Sequence, residues 1–321
     1  MEPRAFISQP IPIAGLELLR REGISFEINE DDRVLPKSEL ISRLEGKEGL
    51  LCLLTDSIDA GVIGAATRLR GIATCAVGYD NIDLEAATRR GVAVSNTPGV
   101  LTETTADLTW ALILAVARRI PEADRFTRAG LFMAWGITLM LGADVHGKTL
   151  GIEGAGRIGM AVAARARGFR MRIVYRSPHR NDGLERDLRA ERVDLDRLLR
   201  ESDFVSLHVP LTPETHHLIG ERELALMKPG AFLINTSRGA DIDEAALVKA
   251  LREERIAGAG LDVYEGEPQL CEGLKDLENA LLLPHIGSAS FETRSRMAEM
   301  AAMNLTAMLR GERPPNCVNL P

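Results

Sequence analysis

Short apolar runs alternate with amphipathic stretches along the chain. Four early runs are apolar at successive positions, a pattern typical of parallel strands that are covered on both faces. They are Arg4–Ser8, Gly49–Leu54, Gly71–Ala76 and Val92–Ser95. Helical patterns separate them, as at Ile13–Glu22 and Leu84–Arg90. The pattern predicts a doubly wound parallel α/β unit over residues 1 to about 99.

A second region of the same kind follows the turn Asn96–Gly99. It opens with a predicted helix at Thr102–Arg119, which has acidic residues near its start and two arginines at its end. Six further strands are predicted at Thr149–Ile152, Arg172–Tyr175, Phe204–Leu207, Ala231–Asn235, Gly258–Val263 and Ala280–Leu283. Six such strands with crossovers match the architecture of a dinucleotide-binding domain.

Composition narrows the class of protein. The chain has 321 residues, enough for about two domains, and its 45% apolar and 26% charged residues are typical of a soluble globular protein. Collagen-like, coiled-coil and wholly disordered classes are excluded. The 39 basic and 46 acidic residues give a net charge of −7 without a local basic patch. An acidic chain of this kind repels phosphate backbones, so we expect no nucleic-acid partner.

Targeting and metal-binding signals are weak. The longest mostly apolar stretch, Leu108–Ala117, is too short to span a bilayer, and the first residues show no basic-then-apolar signal segment. We therefore predict a soluble cytoplasmic protein without a membrane partner. The four cysteines form no Cys-x-x-Cys pair and have no histidine at metal spacing, so we predict free thiols and no metal.

A glycine-rich element follows the predicted strand Thr149–Ile152. Its residues are Gly154, Ala155, Gly156, Arg157, Ile158 and Gly159, and the helical run Met160–Arg167 comes next. In this setting glycines let backbone N–H groups approach a pyrophosphate at the N-terminus of a helix. The element predicts that Gly154, Gly156, Arg157, Ile158 and Gly159 bind a dinucleotide; the alternative is a tight turn.

The end of the next strand bears on which dinucleotide binds. An NAD site usually has Asp or Glu about 20 residues after the first glycine, where the carboxylate accepts from the ribose hydroxyls. Here Arg176 stands 22 positions after Gly154, and Arg180 follows it, with Ser177 as a further hydroxyl donor. Arginine can bind a 2′-phosphate through bidentate, charge-assisted bonds. NADP(H) is favoured over NAD(H); the alternative is a solvated basic loop.

Three chemically active residues each follow a predicted strand. They are Arg238, Glu267 and His285. The carboxyl ends of strands line the ligand crevice of an open α/β sheet, so these side chains are expected to converge. Arginine would hold the carboxylate of a 2-oxo acid, and a His–Glu pair would deliver a proton at neutral pH.

The motifs together resemble the D-isomer-specific 2-hydroxyacid dehydrogenases, and within that family the glyoxylate/hydroxypyruvate reductases. The resemblance covers nearly the full length of the chain. It is carried by Gly151–Gly159, Ser206–Thr215, Asn235–Ala240, Gly260–Glu265 and Leu283–Ser288, with Ala76–Asp83, Asn96–Gly99 and Trp135–Gly136.

The resemblance implies two doubly wound α/β domains joined by a hinge. A flavodoxin-like substrate domain would comprise residues 1–99 and 288–321, and a Rossmann-type cofactor domain residues 100–287. The implied reaction is the NAD(P)H-dependent reduction of a small 2-oxo acid, glyoxylate or hydroxypyruvate, to the D-2-hydroxy acid. A homodimer is also implied.

Site roles carry over from the resemblance position by position. His285 resembles the general acid/base, Glu267 its orienting partner and Arg238 the binder of the substrate carboxylate and carbonyl. Substrate contacts are also implied for the backbone N–H groups of Val77 and Gly78, for Ser288, and for Trp135, which resembles a tryptophan that reaches the neighbouring subunit's active site. Cofactor contacts are implied for Asp262, at the nicotinamide carboxamide, and for Thr105, Pro210, Thr215 and Thr236.

The chain departs from the family pattern at three positions. Glu153 stands where Val or Ile is usual, Asp241 replaces an apolar residue and Ile137 replaces a common proline. A buried carboxylate beside a pyrophosphate is costly unless it is paired or protonated. The alternative functions are a dinucleotide-sensing corepressor or scaffold of the same fold and another D-2-hydroxyacid dehydrogenase. Phosphoglycerate dehydrogenase is disfavoured because no long C-terminal regulatory region follows, and formate dehydrogenase because Glu267 stands where that relative has Gln.

Overall fold

The computed structural model describes residues 4–320. The chain forms two compact units. Unit 1 contains the described residues up to Leu101 together with those from Ser288 onward, and unit 2 is Thr102–Gly287. The chain therefore passes from one unit to the other and back again.

Unit 1 is a parallel sheet covered by helices. Its strands are β1 (Ala5–Ile7), β2 (Phe26–Ile28), β3 (Gly49–Cys52), β4 (Gly71–Thr74) and β5 (Ala93–Ser95). Its helices are α1 (Ile13–Arg21), α2 (Lys37–Arg43), α3 (Ala60–Ala65), α4 (Leu84–Arg89) and, from the end of the chain, α12 (Phe291–Arg310). The strand order is β2-β1-β3-β4-β5 with every pair parallel, which is the flavodoxin-like order.

Successive residues of the unit 1 strands pack on opposite faces of the sheet. Leu50 belongs to a cluster with residues of α2, α3 and α4, whereas Leu51 belongs to a cluster with residues of α1 and α12. Both side chains are fully buried. Burial on both faces explains why these strands are apolar throughout, and it confirms the predicted fold class of this unit.

Unit 2 is a larger parallel sheet. Its strands are β6 (Thr149–Glu153), β7 (Arg172–Arg176), β8 (Glu191–Arg192), β9 (Phe204–Leu207), β10 (Phe232–Asn235), β11 (Gly258–Leu261) and β12 (Ala280–Leu282). Its helices are α5 (Thr102–Ala117), α6 (Ile120–Arg128), α7 (Arg157–Ala166), α8 (Asp182–Leu188), α9 (Leu195–Glu201), α10 (Glu221–Leu226) and α11 (Glu244–Arg252).

The strand order of unit 2 places a switch point beside the glycine-rich element. The order is β12-β11-β10-β9-β6-β7-β8, so the chain builds outward from β6 to β8 and then returns to the other side of β6 at β9. This is the Rossmann order, in which ligands bind outside the carboxyl ends of the strands at the switch point. The predicted fold class is confirmed here too.

The sequence pattern did not predict two of the strands, β2 and β8. β2 contains Glu27, whose carboxylate pairs with Arg43 at 2.5 Å and Lys47 at 2.9 Å, and β8 has only two residues, both exposed. Both lie at the edge of a sheet and have a neighbouring strand on one side only, so charged side chains are tolerated there. The helix predicted to reach Arg119 ends at Ala117.

Two further features of the described residues concern disulfides and membrane-spanning helices. The four cysteines form no disulfide within residues 4–320. Over the same residues, no helix combines the length and the apolar character needed to cross a membrane.

Candidate active site

The glycine-rich element links β6 to α7 by a turn that only glycine can make. Gly154 has a φ of +97°, and a Cβ there would lie 2.6 Å from the carbonyl of His208. A Cβ on Gly159 would lie 2.1 Å from the carbonyl oxygen of Gly154. At Gly156, which precedes the first residue of α7, a Cβ would meet nothing within 4 Å. This open backbone at a helix N-terminus fits the pyrophosphate of a dinucleotide.

Arg176, predicted as a phosphate ligand, has a carboxylate partner. The parallel register places Glu153 of β6 opposite Arg176 of β7, and Nη1 of Arg176 donates to Oε1 of Glu153 at 2.6 Å. Glu153 is 2% exposed, and its Oε2 has no hydrogen-bond partner among residues 4–320. Burial raises the pKa of Glu153 to about 7, although Arg176 acts in the opposite direction.

The second predicted phosphate ligand also has a partner. Nε of Arg180 donates to Glu185 at 2.8 Å, and the hydroxyl of Tyr175 donates to the same carboxylate at 2.7 Å. The loop between the two arginines is held by Arg192, whose Nη2 donates to the carbonyls of Ser177 at 3.0 Å and Pro178 at 2.9 Å. Sequence reasoning missed Arg192 because it lies on the edge strand β8, which the pattern did not show.

The turn after β10 positions Arg238. The side chain of Asn235 accepts from the N–H of Ser237 at 2.9 Å and donates to the carbonyl of Arg238 at 2.7 Å. Oδ2 of Asp241, which is fully buried, accepts from the hydroxyl of Ser237 at 2.6 Å and from the N–H of Arg238 at 3.2 Å. The unusual Asp241 therefore closes the turn that carries Arg238.

The neighbouring Gly239 explains how tightly this turn packs. A Cβ at that position would lie 1.8 Å from the carbonyl carbon of Tyr264, in the loop after β11. Any side chain larger than hydrogen would push the two loops apart. The turn after β10 and the loop after β11 are thus fixed against each other at the backbone.

Asp262 connects the loop after β11 to the loop after β12. Its two carboxylate oxygens accept from the N–H groups of Ile286 and Gly287, both at 2.7 Å, and its carbonyl accepts from the N–H of His285 at 2.9 Å. Asp262 is 1% exposed, and burial raises the pKa of its carboxyl. His285 has a φ of 54°, a conformation that these three bonds hold in place.

His285 and Glu267 form a direct pair. Nδ1 of His285 lies 2.8 Å from Oε2 of Glu267, and Oε1 of Glu267 accepts from the N–H of Tyr264 at 2.9 Å. Burial raises the pKa of Glu267, but the hydrogen bond and charge of His285, the N–H of Tyr264 and the charge of Arg238 together lower it overall. An ionised Glu267 accepts from Nδ1 and leaves Nε2 of the ring for chemistry.

The predicted cofactor-lining threonines fall into two groups. Thr105 donates to the carbonyl of Gly287 at 3.1 Å, and the hydroxyl of Thr236 lies 3.0 Å from that of Thr109. Thr215 donates to the carbonyl of Pro210 at 2.7 Å, within the loop that follows β9. All of them lie at or beyond the carboxyl ends of strands, or on the helix packed beside them.

The remaining predicted substrate contacts lie in unit 1 or in the segment between α6 and β6. Val77 and Gly78 follow β4 in unit 1, where the carbonyl of Val77 accepts from Asn96 at 2.8 Å. Ser288 is the first residue of the returning part of unit 1. Trp135 lies between α6 and β6 and is 78% exposed. The substrate roles of these four residues stay predictions.

One cluster of possible metal ligands lies on the surface of unit 2. His216, His217 and Glu265 are exposed, and their ligand atoms lie within 4.8 Å of one another. Exposed groups of this kind often stand together without an ion. The absence of a metal therefore stays a prediction.

The strand order of unit 2 and its glycine-rich turn are typical of a dinucleotide-binding domain. A family profile described as "D-isomer specific 2-hydroxyacid dehydrogenase, NAD binding domain" matches residues 110–287. A glyoxylate reductase of Korarchaeum cryptofilum is 55% identical over 321 residues, covering 99% of this chain and 96% of that protein. The chain belongs to the D-isomer-specific 2-hydroxyacid dehydrogenase family.

Solved structures show the same relationship. A protein from Thermus thermophilus has a TM-score of 0.92 and 49% identity, with 98% of this chain and 99% of that chain covered. An NADPH-dependent glyoxylate/hydroxypyruvate reductase from Sinorhizobium meliloti, solved with NADP and malonate, has a TM-score of 0.87 and 32% identity. In that comparison 99% of this chain and 97% of that chain are covered.

Replacing Asp262 by Asn tests its place in this site. One of two oxygens that accept backbone N–H groups becomes an NH₂ facing a donor, so we expect the free energy of unfolding to fall by about 1–3 kcal/mol. Equilibrium urea unfolding measures this change. The exposed Asp144→Asn is the matched control and should stay within about 0.5 kcal/mol. If Asp262→Asn is as stable as the parent, the carboxylate does not hold the two loops together.

Proposed function

We propose that this protein reduces glyoxylate or hydroxypyruvate to the D-2-hydroxy acid and uses NADPH in preference to NADH. The observation that carries the proposal is the His285–Glu267 pair at 2.8 Å, beside the loops that fix Arg238. The names of the Korarchaeum and Sinorhizobium relatives support the same substrates.

Arg238 is proposed to anchor the substrate. Its guanidinium is planar and carries five N–H donors, a geometry that matches a carboxylate and an adjacent carbonyl oxygen. One donor, Nη1, is fixed on the carbonyl of Ser237 at 2.8 Å, which orients the group. Bound in this way, the 2-oxo acid has its carbonyl polarised and held in one pose.

His285 is proposed to supply the proton. When NAD(P)H is bound, its nicotinamide supplies a hydride to the carbonyl carbon, and negative charge develops on the oxygen. His285 donates the proton from Nε2 to that oxygen, which becomes the hydroxyl of the product. Glu267 keeps hold of Nδ1 throughout, so the ring does not rotate away from the substrate.

Several residues are proposed to hold the cofactor. The N–H groups at Gly156 and the start of α7 would take the pyrophosphate. Asp262 uses one lone pair of each oxygen for Ile286 and Gly287, which leaves acceptor capacity for the amide of the nicotinamide. The remaining lining residues are Thr105, Pro210, Thr215 and Thr236.

The preference for NADPH is proposed from the loop after β7. Arg176 and Arg180 bracket it, and no carboxylate stands at the end of the strand to accept from the ribose. Arg192 holds the carbonyls of Ser177 and Pro178, so the loop has a defined shape. A 2′-phosphate would receive charge-assisted hydrogen bonds from Arg176 and Arg180, with the Ser177 hydroxyl as an additional donor.

We also propose that the protein is a homodimer. Between α6 and β6, seven large apolar residues are exposed: Leu131, Phe132, Met133, Trp135, Ile137, Leu139 and Leu141. So many exposed large apolar side chains in one short segment are typical of an interaction site. A second copy of the chain would cover it, and it is the segment in which the family resemblance places a tryptophan that crosses to the neighbouring subunit.

Replacing His285 by Ala tests the proton donor. We expect kcat to fall by about two to four orders of magnitude, because general acid catalysis contributes that much. NADPH affinity, followed by fluorescence titration, should change little. His146→Ala, at an exposed histidine of unit 2, is the control and should keep the parent kcat. Near-normal turnover in His285→Ala would rule out the assigned role.

Replacing Arg180 by Ala tests the cofactor preference. The parent should show a kcat/KM preference for NADPH of at least about tenfold, since a charge-assisted hydrogen bond contributes about 1.5–3 kcal/mol. The variant should lose about tenfold with NADPH and little with NADH, and the parent preference should shrink as salt rises. Arg186→Ala, an exposed arginine of α8 paired with Asp187, is the control. A parent enzyme that prefers NADH at low salt would contradict the proposal.

A double substitution, Met133→Glu with Trp135→Glu, tests the dimer. These two side chains are 89% and 78% exposed, so charge there should not disturb the fold but should prevent two apolar surfaces from meeting. Light scattering should report a dimer for the parent and a monomer for the variant. Phe291→Glu, which is 93% exposed on α12, should remain dimeric. A monomeric parent would contradict the proposed homodimer.

A further inference from the structure

Glu153 is a buried carboxyl group in which only one of the two oxygens has a hydrogen-bond partner among the described residues. Oε1 accepts from Arg176 at 2.6 Å, whereas Oε2 is buried with no hydrogen-bond partner within residues 4–320. A carboxylate in this position is stabilised by one guanidinium alone. Arg176 in contrast has a side chain that is 41% exposed, so part of its donor set faces outward.

Glu153 lies where its carboxylate would be close to any anion bound by Arg176. Arg176 ends the strand whose following loop is proposed to bind the 2′-phosphate, and Glu153 directly precedes the glycine-rich turn. A phosphate on Arg176 would therefore lie near a carboxylate that already uses the same cation. Two anions that share one cation raise each other's energy, and one of them gains a proton or loses its contact.

We propose that Glu153 is a specificity-determining residue: its carboxylate competes with the 2′-phosphate for Arg176, so the selectivity for NADPH depends on whether Glu153 is charged. The inference rests on the proposed binding of the 2′-phosphate by Arg176. It assigns to Glu153 a function that opposes tight NADPH binding at alkaline pH. The carboxylate is a positioning residue, since it acts through Arg176.

The surroundings of Glu153 include one cation, one carboxylate and one histidine. Arg176 lies beside it on β7, and Asp241, in the turn after β10, contributes a negative charge that raises the pKa of Glu153 further. His208 follows β9, and its N–H donates to the carbonyl of Glu153 at 2.7 Å. Burial lowers the pKa of His208 to about 3, so its ring is uncharged at neutral pH.

The sign of the pH dependence follows from this arrangement. The pKa of Glu153 is about 7 in the free protein, and a neighbouring phosphate dianion would raise it. Binding of the 2′-phosphate is then accompanied by proton uptake. The contribution of Glu153 to this pH dependence favours binding most below pH 7, where Glu153 is neutral in both states, and opposes binding increasingly as the pH rises above that value. A shift of about one pKa unit corresponds to about a tenfold loss of affinity.

Binding of 2′,5′-ADP and 5′-AMP tests the inference without turnover, because the two ligands differ only in the 2′-phosphate. At pH 8.5, Glu153→Gln should bind 2′,5′-ADP about tenfold more tightly than the parent does, and 5′-AMP with affinity changed by less than about twofold. At pH 6 the parent and the variant should converge. Calorimetry in buffers of different ionisation enthalpy should show that the parent takes up protons with 2′,5′-ADP at pH 7.5, a measurement that requires no variant.

Glu191→Gln is the matched control. It removes the same charge from the edge strand β8, where Glu191 is exposed and pairs with Arg172 at 2.9 Å and Arg197 at 2.6 Å. This variant should follow the parent at every pH. An unchanged or weaker affinity of Glu153→Gln for 2′,5′-ADP at pH 8.5, or binding by the parent without proton uptake, overturns the inference.

The failure of this inference and the failure of the proposed cofactor preference give different results. If the parent prefers 2′,5′-ADP and Glu153→Gln shows the same preference and pH profile, Glu153 does not compete but the NADPH preference stands. If the parent binds both ligands equally and only the variant gains a preference, the competition is real and the native enzyme does not select NADPH. If neither protein distinguishes the ligands, both ideas are wrong.

Discussion

The carboxylate of Asp262 is the constraint on which the candidate active site depends. Parallel strands bring their carboxyl ends to one edge of a sheet, but they do not fix the loops that follow. Asp262 does this by accepting two backbone N–H groups from the loop after β12, at 2.7 Å each. His285 lies in that loop, and its φ of 54° is held by the same bonds. The orientation of His285, the proposed acid/base residue, thus depends on one buried carboxylate.

Much of the fold and of the site could be predicted from the sequence because both depend on short-range patterns. A strand buried on both faces is apolar at successive positions, and Leu50 and Leu51 show why, since they enter separate cores. The glycine-rich element is equally local: Gly154 and Gly159 allow contacts that a Cβ would block. Arg238, Glu267 and His285 could be grouped because each follows a strand of one parallel sheet. Their individual roles stay predictions.

The partners of the predicted residues were harder to foresee because they depend on strand register and on edge strands. Glu153 and Arg176 are 23 residues apart, and only the pairing of β6 with β7 sets them side by side. The sequence indicated that Glu153 must be paired or protonated, but it did not identify the group that pairs with it. Arg192 was missed because β8 has two exposed residues and no apolar pattern. Asp241 looked like a departure from the family, yet it closes the turn of Arg238.

The two arginine sites differ in how firmly the fold holds them. Arg238 is framed by Asn235, Asp241 and Gly239, so its position is set by backbone contacts that no ligand needs to displace. Arg176 is held by a single carboxylate whose pKa is about 7, so its availability varies with the protonation of its partner. Selectivity is a difference between two affinities, and a competing group inside the protein can adjust that difference without touching the reacting atoms. In the proposed function, this arrangement separates the chemistry at Arg238 and His285 from the choice of cofactor at Arg176, so either can change while the other is kept.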